Sequence, residues 1–193
     1  VSAMPATYFS LSAFEDVATT LGPWSEVIEL EQRQDLAGAL LLEASPTQAL
    51  RSRLAQPPDA VLDGRLKAWV LELSDPAPGA GATVTLTLAL QATEPASAPL
   101  GIFAHVYGDP TPYKGGRMWA QADAGLCDSY PPTAWRADET IVQSLTLMLP
   151  DDLAAGSYQL VFGVYTYPDI VRLTVTAPDP SLPHVVLHSW DAP

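Results

Sequence analysis

The side chains of this sequence with types suited to chemistry are three histidines, one cysteine and a set of acids between apolar runs. They are His105, His184 and His188, Cys127, and Asp109, Asp123, Asp128, Asp138 and Glu139. On a helix, His184 and His188 would share a face and could grip one metal ion. The intervening Val185-Val186-Leu187 favours a strand instead, where residues four apart lie about 13 Å from each other, too far for one ion. No metal site is therefore expected. His105 falls between Phe103 and Tyr107 on one strand face, opposite Ile102, Ala104 and Val106, and reads as a structural or hydrogen-bonding histidine. Cys127 has no basic neighbour in sequence to favour its thiolate. The chain carries no Gly-x-Ser-x-Gly elbow, His-Glu-x-x-His helix or Walker loop, so no catalytic or cofactor-binding residue is assigned. Loop carboxylates meeting at one end of a sandwich would suit calcium, but their spacing does not match a dedicated calcium loop, and ordinary turn aspartates are the expectation.

Aromatic residues offer a different chemistry. Tyr107, Tyr113, Trp119, Tyr130 and Trp135 lie in a stretch rich in proline and glycine. Rings on loops stack on the apolar faces of sugars or anchor interfaces, because they bring large area at small entropic cost. Trp135 reads as a core plug. Tyr107, Tyr113, Trp119 and Tyr130 are the candidate ligand or interface residues, with Tyr113 beside Lys114-Gly115-Gly116 expected to be exposed.

Composition narrows the partners. The 193 residues carry a net charge of -13 with only nine basic side chains, which disfavours a nucleic-acid partner because neutralising phosphates requires clustered Lys and Arg. One cysteine excludes an internal disulfide framework. No apolar run approaches the roughly 18 residues of a membrane-spanning helix. The sequence begins at Val1, as a processed protein or a piece of a longer one would.

Those residues must be positioned by strands. In Thr83 to Gln91, Val84, Leu86, Leu88 and Leu90 alternate with Thr83, Thr85 and Thr87, the two-residue period of a half-buried strand. Ser144 to Leu149, Ser157 to Tyr165 and Val171 to Thr176 repeat it. Arg65 to Leu73, Gly101 to Tyr107, Arg117 to Ala122 and His184 to Trp190 are further candidates. Short strands between Pro/Gly turns, without helical spacers, predict an all-β, antiparallel β-sandwich, immunoglobulin-like or jelly-roll-like. Within it, Pro150 ends one strand, Asp151 to Ala155 crosses the end of the sandwich, and Gly156 starts the next.

Residues 1–60 read as a small mixed segment that packs on the main domain at 61–193. Tyr8 to Phe14 and Trp24 to Leu30 suit strands, Asp35 to Ala44 fits a strand or a short helix, and Ser45-Pro46-Thr47-Gln48 resembles a capped helix start. Gln56-Pro57-Pro58-Asp59 is the candidate boundary.

From Gly64 to Ala177 the order of motifs resembles a β-sandwich module at the C-terminal, extracytoplasmic ends of large membrane proteins of Chloroflexi and other bacteria, often glycosyltransferase-like. Pro78-Gly79 before Val84-Thr-Leu-Thr-Leu resembles its turn and following strand, and Leu90-Gln91-Ala92 the end of its "WQA" motif. Phe103-Ala104-His105-Val106 resembles "VFVHL". Tyr130-Pro131-Pro132-Thr133-Ala134-Trp135 with Asp138-Glu139 resembles "YPTSxWxxGE", Asp138 standing where that motif carries glycine. Leu149 to Leu153 with Gly156-Ser157-Tyr158 resembles "LPxDLPPGxY", and Val164-Tyr165 part of "GLYD". The resemblance implies an extracytoplasmic bacterial accessory domain with no established catalytic residues. The expected function is structural or protein-interacting, with parent-chain domains or another protein as partner. A carbohydrate-binding module using loop aromatics is the alternative.

Overall fold

A computed structural model describes residues 28–36, 39–109, 116, 118–127 and 130–193. The chain divides into two compact units, Val1–Pro57 and Pro58–Pro193. In the first, β1 (Ile28–Leu36) and β2 (Ala39–Pro46) pair antiparallel from Ile28↔Pro46 to Leu36↔Ala39, which settles the ambiguous Leu40-Leu41-Leu42 run as strand. Helix α1 (Gln48–Leu54) follows, its first turn capped by the Thr47 hydroxyl, which accepts from the Leu50 amide at 3.2 Å. That cap satisfies one of the amides a helix start leaves unpaired. Tyr8 to Phe14 lies outside the described residues.

The second unit is an antiparallel sandwich. One sheet runs in the order β11 (Val175–Ala177), β3 (Ala60–Leu62), β4 (Leu66–Leu73), β5 (Thr83–Ala92), β8 (Thr140–Met148). The other is centred on β9 (Gly156–Thr166), which pairs on one side with β6 (Leu100–Asp109), itself paired with β7 (Met118–Gly125). On its other side β9 pairs with both β10 (Val171–Arg172) and β12 (Val185–Ala192). The chain leaves β5 for β6 in the opposite sheet, returns from β7 to β8 beside β5, and crosses again to β9 beside β6. These interlocked crossings are the Greek-key connectivity of the immunoglobulin-like sandwich.

Alternation decides the core. Val84, Leu86, Leu88 and Leu90 of β5 are buried, with Leu145 and Leu147 of β8 and, just beyond that strand, Leu149; Tyr158, Leu160, Phe162 and Val164 of β9 face them from the other sheet. On the outer face of β5, Thr87 Oγ1 and Ser144 Oγ lie 2.9 Å apart, a cross-strand hydroxyl pair. The stretch Val171 to Thr176 departs from the expected single strand. Val171 is exposed while Val175 is buried, because the chain changes sheet between them: β10 pairs with β9 and β11 with β3. Alternation alone does not report such a crossing.

The loop between β8 and β9 ends in a tyrosine corner. Tyr158, fully buried, donates its hydroxyl to the Ala154 carbonyl four residues upstream at 2.5 Å, the arrangement that marks the same corner in immunoglobulin-like domains. The Gly81 amide bonds the Pro150 carbonyl and the Leu149 amide the Ala82 carbonyl, so the loop is fastened to the β4–β5 connection. That connection is in turn tied to β12, since Trp190 Nε1 donates to Pro78 O at 3.1 Å and His188 Nε2 to Pro76 O at 2.6 Å.

Between β7 and β8 the chain plugs the core with Trp135, whose Nε1 donates to Tyr130 O at 2.8 Å. The Tyr130 hydroxyl reaches Glu139 Oε2 at 2.8 Å and Ala134 O at 2.9 Å, and the Arg136 amide donates to the same Glu139 oxygen. Asp138 has φ +58°, the left-handed region that glycine enters freely and Asp tolerates better than most residues.

Three stability outcomes follow for denaturant titration. Phe162→Ala should cost about 3–5 kcal/mol, since a fully buried ring is lost from the core. Tyr158→Phe should cost about 1–3 kcal/mol by leaving the Ala154 carbonyl unpaired. Asp138→Val should lose about 1–2 kcal/mol while Asp138→Gly stays near neutral. Equal costs for the two Asp138 variants would contradict the backbone explanation.

Candidate functional site

Register places the chemistry-bearing side chains on the outer face of the β9 sheet. Partners across a ladder share a face, so the pairs of β6, β9 and β12 define rows. Asp109, Ser157 and Asp191 form the row at one end; Tyr107, Gln159 and Ser189 form the next. Beyond them His105 pairs with Val161 and Gln121, and Phe103 with Gly163 and Asp123. The last row sets Gly101 against Tyr165, with Arg172 beside Tyr165. The face thus passes from polar and acidic at one end to aromatic at the other.

At the aromatic end the rings are laid over glycines. A Cβ at Gly163 would collide with the Phe103 ring, and one at Gly101 with the Tyr165 ring. Phe103 and Tyr165 stack with centroids 6.3 Å apart, and the Arg172 guanidinium sits 4.7 Å over the Phe103 ring, a cation–π arrangement. Phe103 is consequently only 2% exposed although it faces away from the core.

His105 continues this strip. Its ring lies 4.5 Å from Phe103 and 5.8 Å edge-on from Tyr107, which in turn lies 5.4 Å from His184. His105 Nδ1 is 3.2 Å from the Tyr107 hydroxyl, and Nε2 is 3.5 Å from Asp123 Oδ2, which is long for a hydrogen bond. Burial lowers the pKa of His105 against the opposing pull of Asp123, and Arg172 lowers it further. Burial likewise lowers that of His184, helped by Arg172 and His105. Arg172 and two imidazoles therefore share a patch with the Asp123 carboxylate, where burial and Arg172 disfavour the charged form of both imidazoles. His105 with Asp123 has the look of a base with an orienting acid. Its remaining nitrogen meets a phenol and no serine or thiol, so the described groups supply no activated nucleophile.

At the polar end lies an open groove of about 420 Å³ whose lining includes Tyr107, Asp109, Ser157, Gln159, Ser189 and Asp191. Ser157 Oγ donates to Asp191 Oδ1 at 2.6 Å. A second cavity, of about 110 Å³, is largely apolar between Leu62, Leu66, Leu100 and Trp135. At its rim Arg65 pairs with Glu94 at 2.8 Å.

The candidate aromatics do not converge. Tyr107 forms a wall of the groove. Trp119 is the extra residue where β7 shifts register against β6, between Val106↔Ala120 and Tyr107↔Met118. The bulge turns its ring to the core side, where it packs edge-on against Tyr158 at 5.7 Å and is only 7% exposed. Tyr130 braces the Trp135 loop, and Tyr113 lies outside the described residues. The described acids of that set stand apart: Asp123, on β7, faces His105, Glu139 binds Tyr130, and among the described residues no three His, Cys, Asp or Glu side chains come together as a metal site requires; Asp128 lies outside the described residues. Cys127, at φ +50°, donates its amide to Gln143 Oε1. Sequence reasoning missed Ser157, Gln159, Ser189 and Asp191, whose only signal was the outward half of the alternation in β9 and β12.

No family model and no curated protein matches the chain. Among solved structures, a β-glucuronidase from glycoside hydrolase family 2 aligns with a TM-score of 0.37 and 9% identity, over 79% of this chain and 13% of that one. A calcium-binding mutant of Bacteroides uniformis β-glucuronidase 2 gives 0.37 and 15%, over 76% and 17%. A Kluyveromyces marxianus β-glucosidase in complex with glucose gives 0.32 and 11%, over 66% and 15%. The chain spans less than a fifth of each, and at such TM-scores the superpositions say nothing of what it binds.

The depressed histidines set a pH dependence. An unfolded histidine titrates near 6.5, whereas the folded state resists protonation of His105 and His184. The unfolded chain then binds more protons below about 6.5, and stability falls with acidification from there toward the lower folded values. Urea midpoints should drop between about pH 7 and pH 5, above the ordinary carboxylate range. The double variant His105→Gln, His184→Gln should flatten that slope. An unchanged slope would contradict the burial of the two rings.

Proposed function

We propose that this chain is a non-catalytic accessory β-sandwich of an extracytoplasmic bacterial protein, working through interaction with other molecules. The single observation that carries the reading is the fate of the chemistry-bearing side chains. His105 is walled by Phe103 and Tyr107, and Trp119 and Trp135 are buried in packing. The motifs that suggest the extracytoplasmic setting have architectural jobs of the same kind. Pro78 holds Trp190, Trp135 plugs the core, and Tyr158 closes its corner.

An interaction role has surface to work with. Tyr167, Ile170 and Val171 at the tip of the β9–β10 hairpin are 59%, 67% and 61% exposed, and exposed apolar side chains close together in the chain are a common mark of contact surfaces. The test is a turnover screen of purified protein against chromogenic glycosides, esters, phosphates and peptides. The expected outcome is no rate above buffer. Turnover abolished in a folded His105→Gln variant would contradict the proposal.

A further inference from the structure

The geometry points to the polar groove of the β9 sheet as a binding site for a neutral saccharide. Its volume of about 420 Å³ falls within the roughly 300–1,000 Å³ of small-molecule sites. The lining is mixed in the way a sugar requires. Asp109 and Asp191 accept hydrogen bonds from hydroxyls, Ser157, Ser189 and Gln159 both donate and accept, and Tyr107 offers a ring face to the apolar C–H face of a sugar.

Two features distinguish this groove from a chance cluster of acids. First, its six side chains occupy successive ladder positions on three hydrogen-bonded strands, Asp109↔Ser157↔Asp191 and Tyr107↔Gln159↔Ser189, so their spacing is set by the sheet and not by a loop. Second, the wall is held in place: the Tyr107 ring is braced by His105 and His184, and its hydroxyl is engaged by His105 Nδ1. Such preorganisation lowers the entropic cost of binding. Below the strands Tyr158 and Trp190 stack at 5.5 Å and form a rigid floor.

The lining also excludes other ligands. Among the described residues it has no Lys, Arg or His, and its two carboxylates repel anions. A strongly apolar ligand would strand the acids and the amide without partners. For a lone cation the groove provides two carboxylates, and among the described residues no three His, Cys, Asp or Glu side chains gather. The hydroxyls of an uncharged polyol can donate to the carboxylates and pair with the amide of Gln159.

The proposal rests on the non-catalytic reading above, and the test separates the two. Titrate the protein, followed by ¹⁵N NMR, with neutral hexasaccharides of β-1,4-glucose, β-1,3-glucose, β-1,4-xylose, β-1,4-mannose and α-1,4-glucose, and separately with calcium chloride. Gln159→Arg and Ser189→Trp fill the groove from exposed positions, so their melting curves should match the parent. At least one hexasaccharide should bind with its shifts confined to β6, β9 and β12, and each variant should weaken it by at least about tenfold, a loss of about 1.4 kcal/mol. Absence of binding to all five, binding untouched by both variants, or a response to calcium alone would overturn the groove assignment. Release of reducing ends from a bound hexasaccharide would leave the groove standing and overturn the non-catalytic reading instead.

Discussion

The register of β9 against β6, from Leu100↔Thr166 to Asp109↔Ser157, is the constraint on which both halves of this molecule depend. One face of β9 sends Tyr158, Leu160, Phe162 and Val164 into the core. The other sets Ser157, Gln159, Val161, Gly163 and Tyr165 against the outer side chains of β6. A slip of one residue would exchange the faces, burying Gln159 and placing glycine where a phenylalanine fills the core. The tyrosine corner stands at the start of this strand, where its hydrogen bond to Ala154 fixes how the chain enters the sheet. The same lock that closes the sandwich therefore aligns the outer rows.

Those outer rows trade stability for different ends along their length. At the Phe103 end, aromatic rings recover area over two glycines and under a guanidinium, making a second apolar layer that dehydrates His105. The cost appears as two imidazoles whose pKa burial lowers, His105 against the pull of Asp123. At the Asp109 end the side chains of Asp109, Ser157, Gln159, Ser189 and Asp191 are exposed, and Ser157 pairs with Asp191 across the strands. Tyr107 divides the two regimes, bonded to His105 on one side and lining the groove on the other.

Much of the fold was legible because it follows from alternation. The inward leucines of β5 and β8, the inward face of β9 and the shared face of Phe103, His105 and Tyr107 are all two-residue periodicities. The role of Trp135 as a plug was legible from its place in the resembled "YPTSxWxxGE" motif. Three things were not. Val171 to Val175 reads as one strand because a change of sheet leaves the side-chain pattern intact. Trp119 reads as a loop aromatic because a single bulged residue, invisible in composition, reverses the direction of its ring. The groove was hidden because its members come from three strands separated by up to 84 positions (Tyr107 to Asp191), and only the pairing of β9 with β6 and β12 brings them to one face.

Ring-to-backbone nuclear Overhauser contacts read that register directly. The Hα protons of Gly163 should contact the Phe103 ring and those of Gly101 the Tyr165 ring, both shifted upfield by the overlying ring currents. Contacts from the Phe103 ring to core residues such as Leu86 or Leu147, with ordinary glycine shifts, would show the opposite face of β6 turned outward and contradict the arrangement from the core to the groove.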